Sequence, residues 1–566
     1  MTWRANVTGQ AGGWRIAPRW MQDYRREQLP GDIAAGVMVT IIIVPQGLAF
    51  ALLLGVPPVM GLYASLAPLV VFAVFAKGRF VSPGPTPAAA LATLGAVLPI
   101  GSPGSPDFIA SVLAVTLVAG LFLILFAAIG LSGFLRYISQ PVLNGFTAGL
   151  ALLVALYQLP ALLGLRLEPV SSALGLLHAL MKTTASAHPS TLVIALIAIA
   201  LLANRSRLSA GVAGLFAAPP AAAKWLAQLM PLIVVIGAAL VVWAGSLGGA
   251  PGVQVVGDIP HGLPYWGFPS FAADRAGPII SAGLTVALVI MIESWSVETK
   301  LAENRGAIPA SENTLFAMGA ANVASGLTGG YPVSGGLARS AVNIDAGAVT
   351  PFAGLFTAFG VLAIIIVAPS VLTAVPQAAL AAMIFVAGVS QLRVSEFRKA
   401  WDWNRAEGVA YLAALLGVLC SGLVWGLATG FCVALALVIL RSFCPPVVAV
   451  DLEAERDHNQ GNRHIRLAVH GELNFLSAPH VEDKIVRVIR GQCKLRTIQI
   501  FINHRHAIDS TAHQRLRRLS ERLSRDGVRL SYDSAPSPDK TNLPDKSLAS
   551  NRSRTQAQRV GDHADG

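Results

Sequence analysis

The stretch Val81-Ser-Pro-Gly-Pro-Thr-Pro-Ala-Ala-Ala90 interrupts an apolar segment with glycine and proline. A second stretch of this kind, Gly329-Gly-Tyr-Pro-Val-Ser-Gly-Gly-Leu-Ala-Arg-Ser-Ala341, interrupts a later apolar segment. Unpaired backbone groups are tolerated in lipid only where protein buries them or where they line a cavity. Two broken helices in matching positions of two halves are the best sequence indication of a transporter's substrate site. The two breaks therefore predict a membrane carrier whose ligand binds between them.

The composition of the chain is that of a polytopic membrane protein. Its mean hydropathy is +0.61 and 13% of its residues are charged, against about 25% in soluble proteins. Apolar runs recur from about Ile33 to about Phe443, enough for about 12 to 14 spans. The four cysteines show no metal-ligand spacing, and no nucleophile–base set appears. We therefore predict no enzyme, no metal site and no cofactor.

The net charge of +12 does not indicate a nucleic-acid partner, because the basic residues gather in particular loops. Most of these loops fall on the cytoplasmic side if the N-terminus is cytoplasmic, as the positive-inside rule requires. An even number of spans then places the C-terminus in the cytoplasm too. Residues 1–28 form an N-terminal arm with no apolar core for a signal peptide. That arm is either a solvated basic segment or an amphipathic helix on the membrane surface.

The chain divides into a membrane part, a small domain and a tail. The polar stretch Gly248 to Gly277 separates two membrane halves, 29–246 and 278–446, with about seven spans each. Residues 447–533 alternate between strand and helix patterns, which predicts an α/β domain. Residues 534–566 are polar without an apolar period, which predicts a disordered tail.

The helices that follow the two breaks predict an anion site. A helix N-terminus presents unpaired N–H groups and the positive end of the helix dipole. If the helices begin at Thr86, Pro87 and Ala88 and at Gly336, Leu337 and Ala338, their positive ends converge on one place that suits an anion. Arg339 would add a full positive charge there. The alternative is that these glycines and prolines only permit kinks or close packing.

Glu293 follows a run of apolar residues that begins near Gly277, so a span of ordinary length places it inside the bilayer. Ionisable residues there are costly and usually functional. Glu293 could carry a proton, bind a cation or act as the counter-ion of Arg339. The alternative is a helix that ends early and leaves Glu293 at the cytoplasmic surface.

Gln46 and Phe50 lie four residues apart on the first span, in Val44-Pro-Gln-Gly-Leu-Ala-Phe50. They share one helix face and could line the site from one side. Taken alone, this pair is more typical of packing.

Several long motifs resemble those of the sulfate permease (SulP) family of anion transporters. They are the stretch from Val44 to Ala64, Gln140-Pro-Val-Leu-Asn-Gly-Phe-Thr147, Val256-Gly-Asp-Ile-Pro260, Ile292-Glu-Ser294 and the stretch from Tyr331 to Asn343. The resemblance covers about Leu29 to Asp533 and implies an all-α membrane domain of about 14 segments. These would form two inverted seven-segment repeats, as in uracil permeases, with a core domain that moves against a gate domain, typically in a homodimer.

The resemblance also assigns the site residues. By motif, the anion site is lined by Gln46, Phe50, Thr86, Ala88, Ala338 and Arg339, with Glu293 close by. Position 338 is Ala where several relatives have Ser, so only the backbone N–H is available there. The resemblance leaves the substrate open among sulfate, bicarbonate and dicarboxylates.

The C-terminal domain resembles the STAS module of these relatives. The matching stretch is Ala507-Ile-Asp-Ser-Thr-Ala512. Thr511 matches the phosphorylated Ser of soluble STAS proteins, and a phosphate on Ser510 or Thr511 would lie at a helix N-terminus beside Asp509. The alternative is a plain helix start capped by Asp509 in a scaffolding domain.

The sequence therefore predicts a bacterial inner-membrane anion symporter that works by alternating access. Sulfate is the favoured substrate, Arg339 the electrostatic anchor, and a proton or a sodium ion the coupled ion. The alternatives are an uncoupled exchanger or channel, a nucleobase permease, and a sensor that signals to a cytoplasmic partner through the C-terminal domain.

Overall fold

The computed structural model describes residues 20, 24–165, 167, 173–183, 187–216, 219–247, 253–257, 262, 266–270, 273–307, 309–367, 372–443, 447–451, 463–469, 477–490, 495–502, 510–525 and 528–533. Most of the N-terminal arm, Asp258 to Pro260 of one family motif, Asp509 and the tail 534–566 lie outside these residues. The chain forms two compact units, Met1–Ala434 and Leu435–Gly566.

The first unit is built almost entirely from helices, which agrees with the predicted fold class. In chain order, and including the helix that leads into the second unit, they are Leu29–Leu54, Val59–Tyr63, Ala67–Phe75, Pro87–Val97, Pro106–Ala128, Gln140–Leu163, Ala173–Thr183, Pro189–Ala203, Arg205–Leu215, Pro220–Ala244, Ala276–Glu303, Ser311–Leu327, Leu337–Asp345, Ala353–Val367, Gln377–Gln391, Val394–Trp403, Arg405–Ser421 and Leu423–Phe443. Short 3-10 turns lie at Arg26–Gln28, Leu131–Tyr137 and Ala273–Arg275.

Seven helices among the described residues are long and apolar enough to cross a membrane. An eighth span results if Pro189–Ala203 and Arg205–Leu215, which meet at 69°, are one broken span. Three shorter apolar stretches, Val59–Phe75, Pro87–Val97 and Ala353–Val367, fall below the length of a full crossing. Length and hydropathy of the described helices thus do not reach the predicted 12 to 14 spans.

The two Gly/Pro breaks pair with each other. Strand β1 (Pro83–Gly84) lies antiparallel to strand β2 (Ser334–Gly335), with Pro83 opposite Gly335 and Gly84 opposite Ser334. Each strand leads into a short helix, which we call the first half-helix (Pro87–Val97) and the second half-helix (Leu337–Asp345). Both helix starts lie where the sequence predicts them. The strand pairing was not predicted, and it satisfies backbone groups that the breaks would otherwise leave unpaired.

The first membrane helix packs closely against the second break. Its Gly47 faces Gly61 so closely that a Cβ on Gly47 would lie 2.7 Å from the Gly61 carbonyl oxygen. From the break, the buried Tyr331 donates a hydrogen bond from its hydroxyl to the Gly47 carbonyl, at 3.0 Å. This contact brings the Gln46 segment beside the breaks.

The second unit contains a four-stranded sheet in the order β3 (Val447–Asp451), β4 (Arg463–Val469), β5 (Leu495–Ile502) and β6 (Arg529–Asp533). Strand β3 is antiparallel to β4, whereas β4, β5 and β6 are parallel. The predicted helix lies at Ser510–Arg525 and buries Leu516, Leu519 and Leu523. A second helix, Ala478–Arg490, was missed by the sequence analysis although Ala478, Val481 and Ile485 recur at helical spacing and are buried.

Asp32 ties the first membrane helix to the loop after the second half-helix. Its side chain is fully buried and accepts hydrogen bonds from the Val349 N–H at 2.8 Å, the Thr350 N–H at 3.2 Å and the Thr350 hydroxyl at 2.7 Å. Hydrogen bonds to a buried charged group are stronger than neutral ones, and losing the acceptor leaves the donors unpaired. This residue therefore fixes how the second half-helix ends.

We expect Asp32→Ala to lower the free energy of unfolding by about 3 kcal/mol, because two backbone donors and a hydroxyl lose their acceptor. Asp32→Asn keeps one carbonyl oxygen, so the loss should be about half as large. The matched control is Asp107→Asn, which breaks an exposed 3.0 Å ion pair with Arg275 and should cost about 0.5 kcal/mol or less. Denaturant unfolding of purified protein in detergent measures all three, and equal losses for Asp32→Ala and Asp107→Asn would contradict the assignment.

Candidate functional site

A cavity of about 560 Å³ lies where the two half-helices begin. The first membrane helix, the two breaks and the helices Gln140–Leu163, Ala276–Glu303 and Gln377–Gln391 contribute to its walls. The residues predicted for the site that line this cavity are Gln46, Phe50, Thr86, Pro87, Glu293, Gly336, Leu337, Ala338 and Arg339.

Ala88 is the exception among the predicted residues. Its side chain is fully buried and does not line the cavity. It is the second residue of the first half-helix, and at that position the helix has already turned its side chain into the packed interior.

The two half-helices present their N-terminal ends to the cavity. The first is capped by Thr86, whose hydroxyl accepts a hydrogen bond from the Ala89 N–H at 3.3 Å. The second begins after Gly336, which has no side chain to cap it. Its first-turn N–H groups therefore lack a side-chain acceptor, and such groups attract anions.

Glu293 lies deep in the helix Ala276–Glu303. Ten residues follow it before the helix ends, which corresponds to about 15 Å at 1.5 Å per residue. Its Oε2 atom accepts a hydrogen bond from the Thr86 hydroxyl at 2.9 Å. Glu293 is thus a wall residue beside the first half-helix, and the helix does not end early as the alternative interpretation required.

Arg339 is 1% exposed, and its guanidinium bridges the two breaks. Nε donates to the Ser82 carbonyl at 3.2 Å, and Nη2 donates to the carbonyls of Ser82 and Ser334, both at 3.1 Å. Nη1 donates to the Pro85 carbonyl at 3.0 Å and to Gln46 Oε1 at 3.4 Å. All five N–H groups of the guanidinium therefore have acceptors within the protein. This side chain connects the breaks as well as placing a positive charge at the cavity.

Arg339 and Glu293 do not form an ion pair in this part of the described chain, since the ion pairs present there involve other residues. The two side chains are therefore not in direct contact, and the role of Glu293 as counter-ion of Arg339 stays a prediction. Instead, Thr86 stands between the first half-helix and the carboxylate.

Several polar side chains that the sequence analysis did not single out hold the breaks in place. The Ser82 N–H donates to Ser340 Oγ at 2.9 Å, and the Gly335 N–H donates to Ser294 Oγ at 3.2 Å. Asn322 donates to the Val333 carbonyl and accepts from the Val333 N–H, both at 2.9 Å. The available signal was a polar residue within an apolar segment, which by itself does not reveal its partner.

The outer part of the cavity has charged walls of both signs, formed by Lys300, Glu303, Arg393 and Glu396. The cavity thus extends from the half-helices to these charged residues. Polar side chains of Gln140, Asn144 and Thr147 line it as well.

Comparison with known proteins gives one consistent family. The sequence profile of the sulfate permease family matches residues 29–414. A probable sulfate transporter of Mycobacterium tuberculosis is 30% identical over 439 residues, which cover 78% of this chain and 75% of that protein. The profile match includes the breaks and the cavity residues described above.

Solved structures show the same fold. The murine solute carrier 26 family member A9 anion transporter in the inward-facing state gives a TM-score of 0.75 at 17% identity, over 94% of this chain and 91% of that one. The transmembrane domain of the cyanobacterium bicarbonate transporter BicA gives a TM-score of 0.60 at 21% identity, over 72% of this chain and 98% of that one.

The family profile spans most of the membrane part, the relative has a similar length, and the solved structure has the same fold. These three findings are consistent with a transporter whose cavity lies between two half-helices. They also agree with the prediction of a multi-pass membrane transporter rather than an enzyme. The chain belongs to the sulfate permease family.

Proposed function

We propose that this protein is a secondary active transporter that takes up a small anion together with a proton by alternating access, with sulfate as the favoured substrate. The observation that carries the proposal is the meeting of two half-helix N-termini and one carboxylate, Glu293, at a single membrane cavity. The helix N-termini would bind the anion there, and the Glu293 carboxylate would bind the proton.

The anion would bind at the half-helix N-termini. The N–H groups after Gly336 lack a side-chain cap, and Ala338 offers its backbone rather than a hydroxyl. Gln46 and Thr86 would supply polar side-chain atoms to the same cavity, and Phe50 would contribute an apolar part of its wall. Helix N-termini bind anions in this way without a dedicated charged side chain.

Arg339 would act through its charge rather than through free hydrogen-bond donors. Its contact with Gln46 is the longest of the five, at 3.4 Å. That contact is therefore the one that an anion can replace at the lowest cost, because the remaining four hydrogen bonds go to three backbone carbonyls of the breaks. Anion binding would then release Gln46 to face the ligand.

Glu293 would carry the coupled proton. A membrane potential that is negative inside opposes anion entry by about 2.3 kcal/mol per charge per 100 mV. Each co-transported proton cancels one charge, so coupling reduces this cost directly. The hydrogen bond from Thr86 links the protonation state of Glu293 to the first half-helix, whose N-terminus faces the anion.

A sodium-coupled transporter of bicarbonate or a dicarboxylate is the second candidate. The fold shared with a bicarbonate transporter's transmembrane domain favours it. An uncoupled exchanger or channel on the same scaffold is a further alternative, and it predicts flux that ignores both the proton and the sodium gradient.

We further propose an assembly that follows the family resemblance. About 14 membrane segments would form two inverted repeats, 29–246 and 278–446, and the protein would be a homodimer in a bacterial inner membrane with both termini in the cytoplasm. The pairing of one break from each half supports the repeats. The mixed sheet with its two helices supports a STAS domain over 447–533.

Thr511 would be a regulatory position of that domain. It is exposed in the first turn of the helix Ser510–Arg525. A phosphate there, or on Ser510, would lie at the positive end of the helix dipole. A cytoplasmic partner would recognise this added charge.

For Glu293→Gln, we expect proteoliposomes to lose proton-driven sulfate uptake by about tenfold or more, while anion exchange without a gradient persists. The glutamine side-chain oxygen can still accept the hydrogen bond from Thr86, but the amide has no titratable proton to transport. Glu312→Gln, an exposed change of the same type outside the cavity, is the matched control and should retain gradient-driven uptake. Uptake by Glu293→Gln that still follows the proton gradient would remove Glu293 from coupling.

The same assay separates substrates. If wild-type vesicles accumulate labelled bicarbonate or a dicarboxylate under the proton gradient but no sulfate, the mechanism stands and the substrate changes. If uptake follows sodium and ignores pH, the second candidate replaces the first.

Arg339→Lys tests whether this residue acts only through its charge. Lysine keeps the charge but offers three donors on a flexible chain, so it cannot reach all the acceptors that the planar guanidinium reaches. We expect uptake to fall about tenfold or more and the free energy of unfolding to fall by about 3 kcal/mol. Gln46→Ala removes only the longest contact and should raise KM with little loss of stability. Normal uptake by Arg339→Lys would show that charge alone suffices.

Deletion of residues 447–566 tests the role of the C-terminal domain. Because the cavity lies entirely within the first unit, we expect the truncated protein to retain measurable anion uptake in proteoliposomes. Complete loss of uptake by a truncated protein that remains folded would instead make the domain a necessary part of transport.

A further inference from the structure

A second, much smaller cavity lies on another side of the helix Ala276–Glu303. Its volume is about 10 Å³, which is roughly the space for one water-sized particle. Ser132, Ser294, Glu298 and Thr314 line it, and Trp295 lines both this cavity and the large one. The Trp295 side chain is 8% exposed, so it forms a wall between the two cavities.

Glu298 brings a carboxylate to this small cavity. Its side chain is 1% exposed. Oε1 accepts hydrogen bonds from the Ala310 N–H at 2.9 Å and from the Thr314 hydroxyl at 2.8 Å. Oε2 is buried and has no hydrogen-bond partner. A buried carboxylate with one unsatisfied oxygen is costly unless something positive binds it.

Ser132 brings a second unsatisfied atom to the same cavity. The residue is 2% exposed, and its Oγ is buried without a hydrogen-bond partner. It lies in the 3-10 turn Leu131–Tyr137, a different element from the helix that carries Glu298. Two different elements therefore each contribute a residue with a buried, unpaired oxygen to the lining of this small cavity.

No ion pair within the described residues neutralises Glu298. The ion pairs there involve other carboxylates. Glu312 lies near Glu298 and is exposed, so it adds negative rather than positive charge. A carboxylate at this position would therefore have no ion-pair partner among the described residues.

We propose that this small cavity binds one sodium ion, with Glu298 Oε2 as the charged ligand and Ser132 Oγ as a neutral ligand. A single carboxylate balances one positive charge, and oxygen ligands suit a hard cation. The described residues hold no group of three His, Cys, Asp or Glu that would suit a di- or trivalent metal. A space the size of one water matches a sodium ion better than a larger alkali ion.

The site connects to the breaks through Ser294. Its hydroxyl lies 3.2 Å from the Ser334 hydroxyl and accepts a hydrogen bond from the Gly335 N–H at 3.2 Å. An ion bound beside Ser294 would therefore stabilise strand β2 through the contacts of the Ser294 hydroxyl with Ser334 and Gly335. This inference does not depend on which anion the large cavity carries.

The test measures the thermal unfolding midpoint of the purified full-length protein in detergent. Sodium chloride is compared with choline chloride at the same ionic strength and pH, without substrate. We expect the wild-type midpoint to rise with the logarithm of the sodium concentration, because an ion that binds only the folded state stabilises it. Glu298→Gln, which keeps the shape of the side chain and removes the charge, should abolish this rise.

Three further variants make the result specific. Ser132→Ala should weaken the apparent sodium affinity about tenfold, as expected for the loss of one ligand. Glu293→Gln in the large cavity and the exposed Glu312→Gln should keep the sodium-dependent rise. Equilibrium dialysis with radioactive sodium gives a direct reading of the same affinities.

Three outcomes would overturn the proposal. One is a wild-type midpoint that sodium and choline move equally. Another is a sodium-dependent rise that survives in Glu298→Gln or disappears in Glu293→Gln, which would place the ion elsewhere. The last is a midpoint that responds to pH but not to sodium, which would identify Glu298 as a neutral acid. Since none of these readings requires transport, they are independent of whether the uptake experiments succeed.

Discussion

The guanidinium of Arg339 is the interaction on which the membrane cavity depends. Two helix breaks within an apolar region expose backbone carbonyls that lipid cannot hydrate. Arg339 donates to the carbonyls of Ser82, Pro85 and Ser334 and so satisfies both breaks at once. The β1–β2 pairing satisfies further backbone groups, and together they hold the two half-helices in a fixed relation. Without these contacts, little would hold the N-termini of the two half-helices next to each other.

The same arrangement creates the electrostatics of the site. Two helix N-termini and one guanidinium give a positive region, and Glu293 supplies a negative group at its edge. The hydrogen bond between Thr86 and Glu293 joins these opposite charges through the cap of the first half-helix. Under the proposed function, such a cavity would need few side chains to bind an anion, because the backbone N–H groups and helix dipoles would provide most of the attraction.

The elements of the site could be predicted to different extents. The starts of both half-helices and the depth of Glu293 follow from glycine, proline and the length of apolar runs, all of which are local properties. The pairing of the two breaks, the burial of Ala88 and the partners of Arg339 could not be predicted. Ser82 and Arg339 are 257 residues apart, and no periodicity links them. The unsatisfied atoms of Glu298 and Ser132 likewise become visible only when their burial is known. The helix Ala478–Arg490 could have been predicted from the helical spacing of its apolar residues, but it was not.

The sequence by itself determined that this chain is a membrane protein with two broken helices, because hydropathy and the backbone preferences of glycine and proline are properties of the individual residues. It also carried the family motifs that the comparisons matched. Only the tertiary structure decided that Arg339 directs four of its five hydrogen bonds to the breaks, that Thr86 lies between Glu293 and a helix N-terminus, and that Glu298 lines a separate small cavity. These facts depend on which distant groups come within hydrogen-bond distance and which are left without a partner. Such distances are set by packing and not by the order of residues in the chain.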